Sequence, residues 1–157
     1  MPSRICPDDR WSWVEVDLAA LRRNTRAFRS QIERGVRMMC VVKADAYGHG
    51  SVQVAEKLQS LGADYLAVSS IDEAMELRIN GITMPILIRG HTPVEQVDRL
   101  ICFNITQTVS CEAKAEEYSS AAQRCSGTLK IHIKVDTGMS RLGYICEGGY
   151  FEHGVDG

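Results

Sequence analysis

Met38-Met39-Cys40-Val41-Val42-Lys43-Ala44-Asp45-Ala46-Tyr47-Gly48-His49-Gly50 joins an apolar run to a lysine and then to a loop bracketed by glycines. The run is short, apolar and β-branched at its end, which suits a strand buried on both faces; periodicity alone also admits a buried helical segment. A lysine at the carboxyl end of a buried parallel strand has its ammonium partly desolvated, which favours the free amine as nucleophile or base. Lys43 is therefore the first candidate for chemistry. The competing reading is a solvent-exposed strand tip.

Working outward, the chain alternates strands and helices. Upstream, Trp11 to Val16 alternates bulky and polar residues and predicts a half-buried strand. Asp17 reads as the N-cap of an amphipathic helix with Leu18, Leu21, Thr25, Phe28 and Ile32 on one stripe, ending near Gly35. Its arginines, Arg22, Arg23, Arg26 and Arg29, read as a solvated face. Downstream, Val52, Ala55, Leu58 and Leu61 mark a helix closed by Gly62, and Tyr65 to Val68 a buried strand. Ser70-Ile71-Asp72-Glu73 is a capping box opening a helix that Asn80-Gly81 stops, with Arg78 where the stripe wants an apolar residue.

Pro85 to Ile88 is the next strand, and Thr92-Pro93-Val94-Glu95 repeats the capping pattern with proline at the first helical position. Val94, Val97 and Ile101 should face inward. A strand over 105–109, a helix capped by Ser110, and an alternating strand from Leu129 to Val135 complete the series, with His132 read as structural. Strand starts near residues 38, 65, 85, 105 and 129 indicate parallel strands with helical crossovers. Both a doubly wound open sheet and an eight-stranded barrel share that signature. No G-x-G-x-x-G follows the first strand, which weakens the dinucleotide-binding sheet; functional-looking residues at the ends of the first and fifth strands favour the barrel. The expected fold is α/β, an incomplete (β/α)8 TIM-type barrel with about five βα units. Its two open edges and apolar inner face favour association.

The 157 residues, 45% hydrophobic and 24% charged, have the balance of a soluble globular protein, and no stretch approaches a membrane helix. The net charge of −2 and the lack of a long basic run argue against nucleic acid or an anionic membrane as partner, and for a small-molecule substrate. With no leader-like N-terminus, a cytoplasmic protein is expected. The six cysteines form no C-x-x-C pair; they read as reduced, small apolar core residues, with no metal site.

The segment from Val41 to Gly50 resembles the cofactor-attachment signature of alanine racemase, covering the lysine, the tyrosine, the histidine and both glycines. Lys134-Val135-Asp136-Thr137-Gly138-Met139-Ser140-Arg141-Leu142-Gly143 resembles the family's second motif, and the likeness runs from about Trp13 to Gly143. The resemblance implies pyridoxal 5′-phosphate as cofactor, attached to Lys43, with Tyr47 at its phosphate. Arg141 would donate to its phenolic oxygen and lie near the substrate carboxylate. Lys134 stands where some members carry a carbamylated lysine that orients the arginine. The implied reaction interconverts L-alanine and D-alanine, with Lys43 exchanging the α-proton on one face and a second base, not found in this chain, serving the other.

On that likeness, residues 1–157 form the N-terminal part of a racemase-like barrel domain, a fragment or truncated product whose C-terminal β domain is absent. The complete enzyme is expected to be a homodimer. Residues 144–157 follow the family poorly, and His153 receives no role. Two alternatives stand beside this reading: a non-catalytic pyridoxal-phosphate-binding protein, and a serine racemase of the same family.

Overall fold

Five parallel strands lie side by side in the order in which the chain makes them, β1-β2-β3-β4-β5, in a computed structural model that describes residues 13–145. They are β1 (Met39–Val41), β2 (Tyr65–Val68), β3 (Ile86–Ile88), β4 (Thr106–Val109) and β5 (Ile131–Ile133). A doubly wound sheet reverses its strand order at a switch point, and this one does not. Helices α3 (Ser51–Ser60), α4 (Ile71–Ile79), α5 (Val97–Cys102) and α6 (Glu112–Arg124) make the crossovers. The sheet also curls. Tyr65 on β2 and His132 on β5 bring their ring centroids to 5.7 Å, whereas three strand spacings in a flat sheet amount to about 14 Å. The architecture is the expected partial barrel.

The main core lies between the outer sheet face and the helices. Leu66, Val68, Ile86 and Ile88 on the strands meet Leu58, Leu77 and Leu100 on the helices, all essentially buried. A smaller core joins Val97, Val109, Tyr118, Ala121 and Ala122, with Val94 and Ile101 packed against it. On the inner face Ala67 and Leu87 are buried, whereas β1 is open. Met39 and Val41 are 40% and 37% exposed, so β1 is partly buried, through Cys40, on one face only. It is an edge strand, and no described element closes the sheet over its inner side.

Several expectations need correction. Residues 13–16 form no strand, and Trp13 and Val14 are exposed, because no strand among the described residues pairs with them; Trp11 and Ser12 lie outside those residues. The first helix, α1 (Leu18–Gln31), stops before Gly35, and Asp17 caps it by accepting from Ala19 N–H at 2.7 Å. Arg29 does not belong to a solvated face. It pairs with Asp64 and donates to Val36 O and Gly62 O, tying α1 to the approach to β2.

Thr92 is no cap: its hydroxyl, fully buried, donates to Gln107 Oε1 at 2.6 Å, and a 3-10 turn over Val94–Gln96 precedes α5. Cys111 rather than Ser110 occupies the N-cap of α6. The fifth strand is shorter than read, since Lys134 separates β5 from β6 (Val135–Asp136). Cys40, Cys102, Cys111 and Cys125 are free thiols, but only Cys40 is partly buried; the other three are exposed rather than core. Arg78 sits within the helix stripe because its guanidinium bonds four carbonyls, Phe103 O, Ile82 O, Met84 O and Asn104 O, at 2.7–3.1 Å. Burial pushes its pKa down.

Candidate active site

At the end of β1 the chain does something unusual. From Ala44 to Tyr47 four consecutive non-glycine residues adopt φ of 50–56° and ψ of 39–54°, so that α2 (Lys43–Gly48) contains a left-handed turn. Each such residue costs about 1–2 kcal/mol of steric strain, and the turn persists only because its surroundings specify it. Ala46 N–H donates to Val42 O at 2.9 Å, and the Asp45 carboxylate accepts from Ser51 N–H at 2.6 Å, capping α3. The Glu73 carboxylate accepts from Ala44 N–H at 2.8 Å and from Ser69 N–H at 2.7 Å. Ser70 does cap α4, its hydroxyl accepting from Glu73 N–H at 3.3 Å. Glu73, however, reaches past the cap's own N–H to these two loops.

Lys43, half-buried, leaves β1 where this turn begins and lines a cavity of about 360 Å³ at the carboxyl ends of the strands. Arg89 after β3, His132 on β5, Lys134 and Arg141 line the same cavity. Its volume falls in the range of small-molecule sites. The described lining residues include two ammonium and two guanidinium groups and no carboxylate. That donor set suits an anionic ligand, with a primary amine available to a carbonyl carbon. Tyr47 does not line the cavity. Tyr47 is 63% exposed, and its ring lies under the Lys43 ammonium, 5.9 Å from Nζ to the centroid.

Arg141 rides on an exposed loop that Asp136 organises. The Asp136 carboxylate accepts from Gly138 N–H and Ser140 N–H at 3.0 Å and from Arg141 N–H at 3.1 Å. These N–H groups, Ser140's foremost, hold its pKa below the usual carboxylate value. Lys134 Nζ donates to Leu142 O at 2.6 Å, and Tyr144 N–H to Lys134 O at 2.9 Å. The short pairing of β6 with β7 (Tyr144–Ile145) closes the loop. Gly143 is required there, for a Cβ would sit 2.8 Å from Asp136 N, at a φ of +127°.

Lys43, Lys134 and Arg141, singled out from two motifs roughly ninety residues apart, thus meet at one cavity, as the ends of parallel barrel strands do. Sequence reasoning missed Arg89, a single arginine after a strand with no motif around it. His132 was read as structural; it packs on Tyr65 and also faces the cavity. A larger cavity of about 520 Å³ lies elsewhere, beneath α1, lined by apolar groups such as Leu21, Phe28, Cys40 and Val42. It gathers no comparable cluster of cations, so size alone does not mark the site. Residues 146–157, His153 among them, lie outside the described residues.

Comparison with known proteins gives a consistent answer. The pattern of the family described as alanine racemase, N-terminal domain, matches residues 16–148. The alanine racemase of Desulfovibrio desulfuricans is 44% identical over 135 residues, 86% of this chain and 36% of that protein. Alanine racemase 1 of Clostridium acetobutylicum is 47% identical over 133 residues, 85% of this chain and 34% of that one. Among solved structures, the alanine racemase of Clostridium difficile 630 superposes with a TM-score of 0.84 at 38% identity, covering 89% of this chain and 37% of its own. That of Bacillus anthracis with bound L-Ala-P gives 0.77 at 39% identity, covering 85% and 34%. The chain spans about a third of the length of the relatives it matches.

Proposed function

The chain belongs to the alanine racemase N-terminal domain family, and on that premise we propose that it carries the cofactor-binding half of a pyridoxal 5′-phosphate-dependent site that interconverts L-alanine and D-alanine. The observation that carries the reading is the single cavity shared by Lys43, Arg89, Lys134 and Arg141. Its cationic lining and accessible amine fit a phosphorylated aldehyde. When bound, that cofactor supplies an electron sink that makes the substrate's α-proton acidic.

The chain's own residues do the rest. Lys43 Nζ would hold the cofactor covalently, and as a free amine it would remove or return the proton at the α-carbon on its side. Arg141 would stabilise a ring oxygen anion and the substrate carboxylate, because a guanidinium offers fixed donors and keeps its charge. Lys134 steadies Leu142 O beside it; carbamylated, as the family likeness suggests, it would give Arg141 an anionic partner. Tyr47, beside the Lys43 ammonium but outside the cavity lining, would contact the phosphate, as the family likeness implies. No described residue is assigned as proton carrier for the opposite face. Residues 1–157 form the N-terminal part of the barrel domain, the assembly is a homodimer, and the compartment is the cytoplasm. Among the described residues no helix is long and apolar enough to cross a membrane.

The test is borohydride reduction of the chain loaded with pyridoxal 5′-phosphate, followed by peptide mapping. The pyridoxyl label is expected on Lys43. A label on Lys134 instead, or on no lysine of a folded sample, refutes the assignment.

A further inference from the structure

Where β1 ends, the parallel ladder with β2 is interrupted in a particular way. Val42 N–H donates to Ala67 O at 2.9 Å, so a continuing parallel ladder would next pair Ser69 N–H with Val42 O and Ala44 N–H with Ser69 O. Neither bond is available. Val42 O instead accepts from Ala46 N–H, inside the left-handed turn. The two displaced donors, Ala44 N–H and Ser69 N–H, both go to one carboxylate, that of Glu73, one to each oxygen at 2.8 and 2.7 Å.

We propose that Glu73 is a positioning residue for Lys43: its carboxylate replaces the missing rung of the ladder, and so fixes the left-handed turn that sets the direction in which the lysine leaves the sheet. Only a carboxylate suits the place. Two N–H groups converge from different strands, each needs an acceptor, and an ionised side chain offers two oxygens with no donor. A glutamine offers one oxygen and turns an NH2 toward an N–H. The strain of the turn makes the anchor necessary, since four left-handed residues held at one end only by Asp45 would relax at the other. Glu73 itself touches no reacting atom in this scheme. It stands on α4, which packs against α2 and β2, so it transmits the position of that helix to the lysine.

The consequence for cofactor capture rests on the function proposed above; the anchoring of the turn does not. The experiment compares the full chain with Glu73→Gln, which keeps the side-chain volume. Backbone amide exchange is followed residue by residue, and pyridoxal 5′-phosphate is titrated and fixed with borohydride to quantify the label on Lys43. In the parent, the Ala44 and Ser69 amides are protected. In the variant, at least one of them exchanges roughly tenfold faster, the loss of one hydrogen bond to a charged group, while amides of β3 and α6 keep their protection. Half-maximal labelling of Lys43 needs several-fold more cofactor. Parent-like exchange at both amides overturns the proposal. So does faster exchange with unchanged labelling, and so does protection lost throughout the molecule, which makes Glu73 a residue of general stability. A parent that takes no label on Lys43 sinks the racemase reading, and the amide exchange then decides alone whether the carboxylate holds the turn.

Discussion

Replacing alanine by glycine in a helix ordinarily destabilises a protein; at Ala44 the sign should reverse. Ala44 has φ 50° and ψ 54°, and its methyl group is exposed. The left-handed conformation costs an L-residue about 1–2 kcal/mol, which glycine does not bear. Against that, glycine makes the unfolded chain more flexible by about 0.4–1 kcal/mol. No buried surface is lost, so Ala44→Gly should stabilise the chain by about 1 kcal/mol. With a urea dependence on the order of 2 kcal/mol per molar, the unfolding midpoint rises by about 0.5 M at unchanged slope. Ala46, at φ 50° but only 7% exposed, is the internal control. Glycine there forfeits a buried methyl worth about 0.8 kcal/mol, and the two effects nearly cancel. A midpoint for Ala44→Gly that falls, by the roughly 0.5–1 kcal/mol typical of a right-handed helix interior, would refute the left-handed turn in solution.

Three further outcomes follow from the geometry. Arg78→Leu removes the donor to four carbonyls from two segments and should cost roughly 3 kcal/mol in urea unfolding; a loss below 1 kcal/mol would show that water replaces the guanidinium. Arg141→Ala should change the absorption of bound pyridoxal 5′-phosphate while far-UV circular dichroism stays as in the parent, because Arg141 lies on an exposed loop whose shape depends on backbone N–H groups; an unchanged spectrum would remove its role. Asp64 and Asp136 have pKa values held below the ordinary 3.8, Asp64 chiefly by Met38 N–H and then Arg29, Asp136 chiefly by Ser140 N–H. A carboxylate with a depressed folded pKa contributes stability above its unfolded value and loses it as pH falls through the folded one. The urea midpoint should therefore hold from neutrality to just above pH 3.8 and drop below it, and Asp64→Asn should flatten that drop.

The repeating strand-helix order was legible because each unit carries its own punctuation: Ser70 before α4, Asn80-Gly81 after it, and β-branched runs between. Barrel against open sheet was settled by strand order and by the approach of Tyr65 to His132, neither of which a linear pattern contains. Residues 13–16 misled because alternation describes a surface, and without a neighbouring strand it produces none. Cys102, Cys111 and Cys125 misled similarly, since a small apolar side chain fits a helix stripe whether or not anything covers it. At the site, Lys43, Lys134 and Arg141 could be picked out because their motifs are distinctive. The left-handed turn could not, for Ala44-Asp45-Ala46-Tyr47 contains no glycine to flag a positive φ, and the contacts that compel it come from Glu73 and Ser51. Arg89 was invisible for a related reason: one arginine after a strand becomes informative only when the ends of other strands gather around it.

The anchor between Ala44 and Glu73 spans 29 residues of chain, and this has a kinetic meaning. A left-handed turn of L-residues has no local driving force, so it cannot serve as a folding nucleus; it waits until α4 has formed and docked on β2. Mutations in it should therefore leave the refolding rate nearly untouched and appear almost wholly in the unfolding rate, the mark of contacts absent from the transition state. During synthesis Lys43 leaves the ribosome well ahead of Glu73, and its amine spends that interval without its final geometry. The geometry at Lys43 is in this way deferred until the second strand-helix unit is in place.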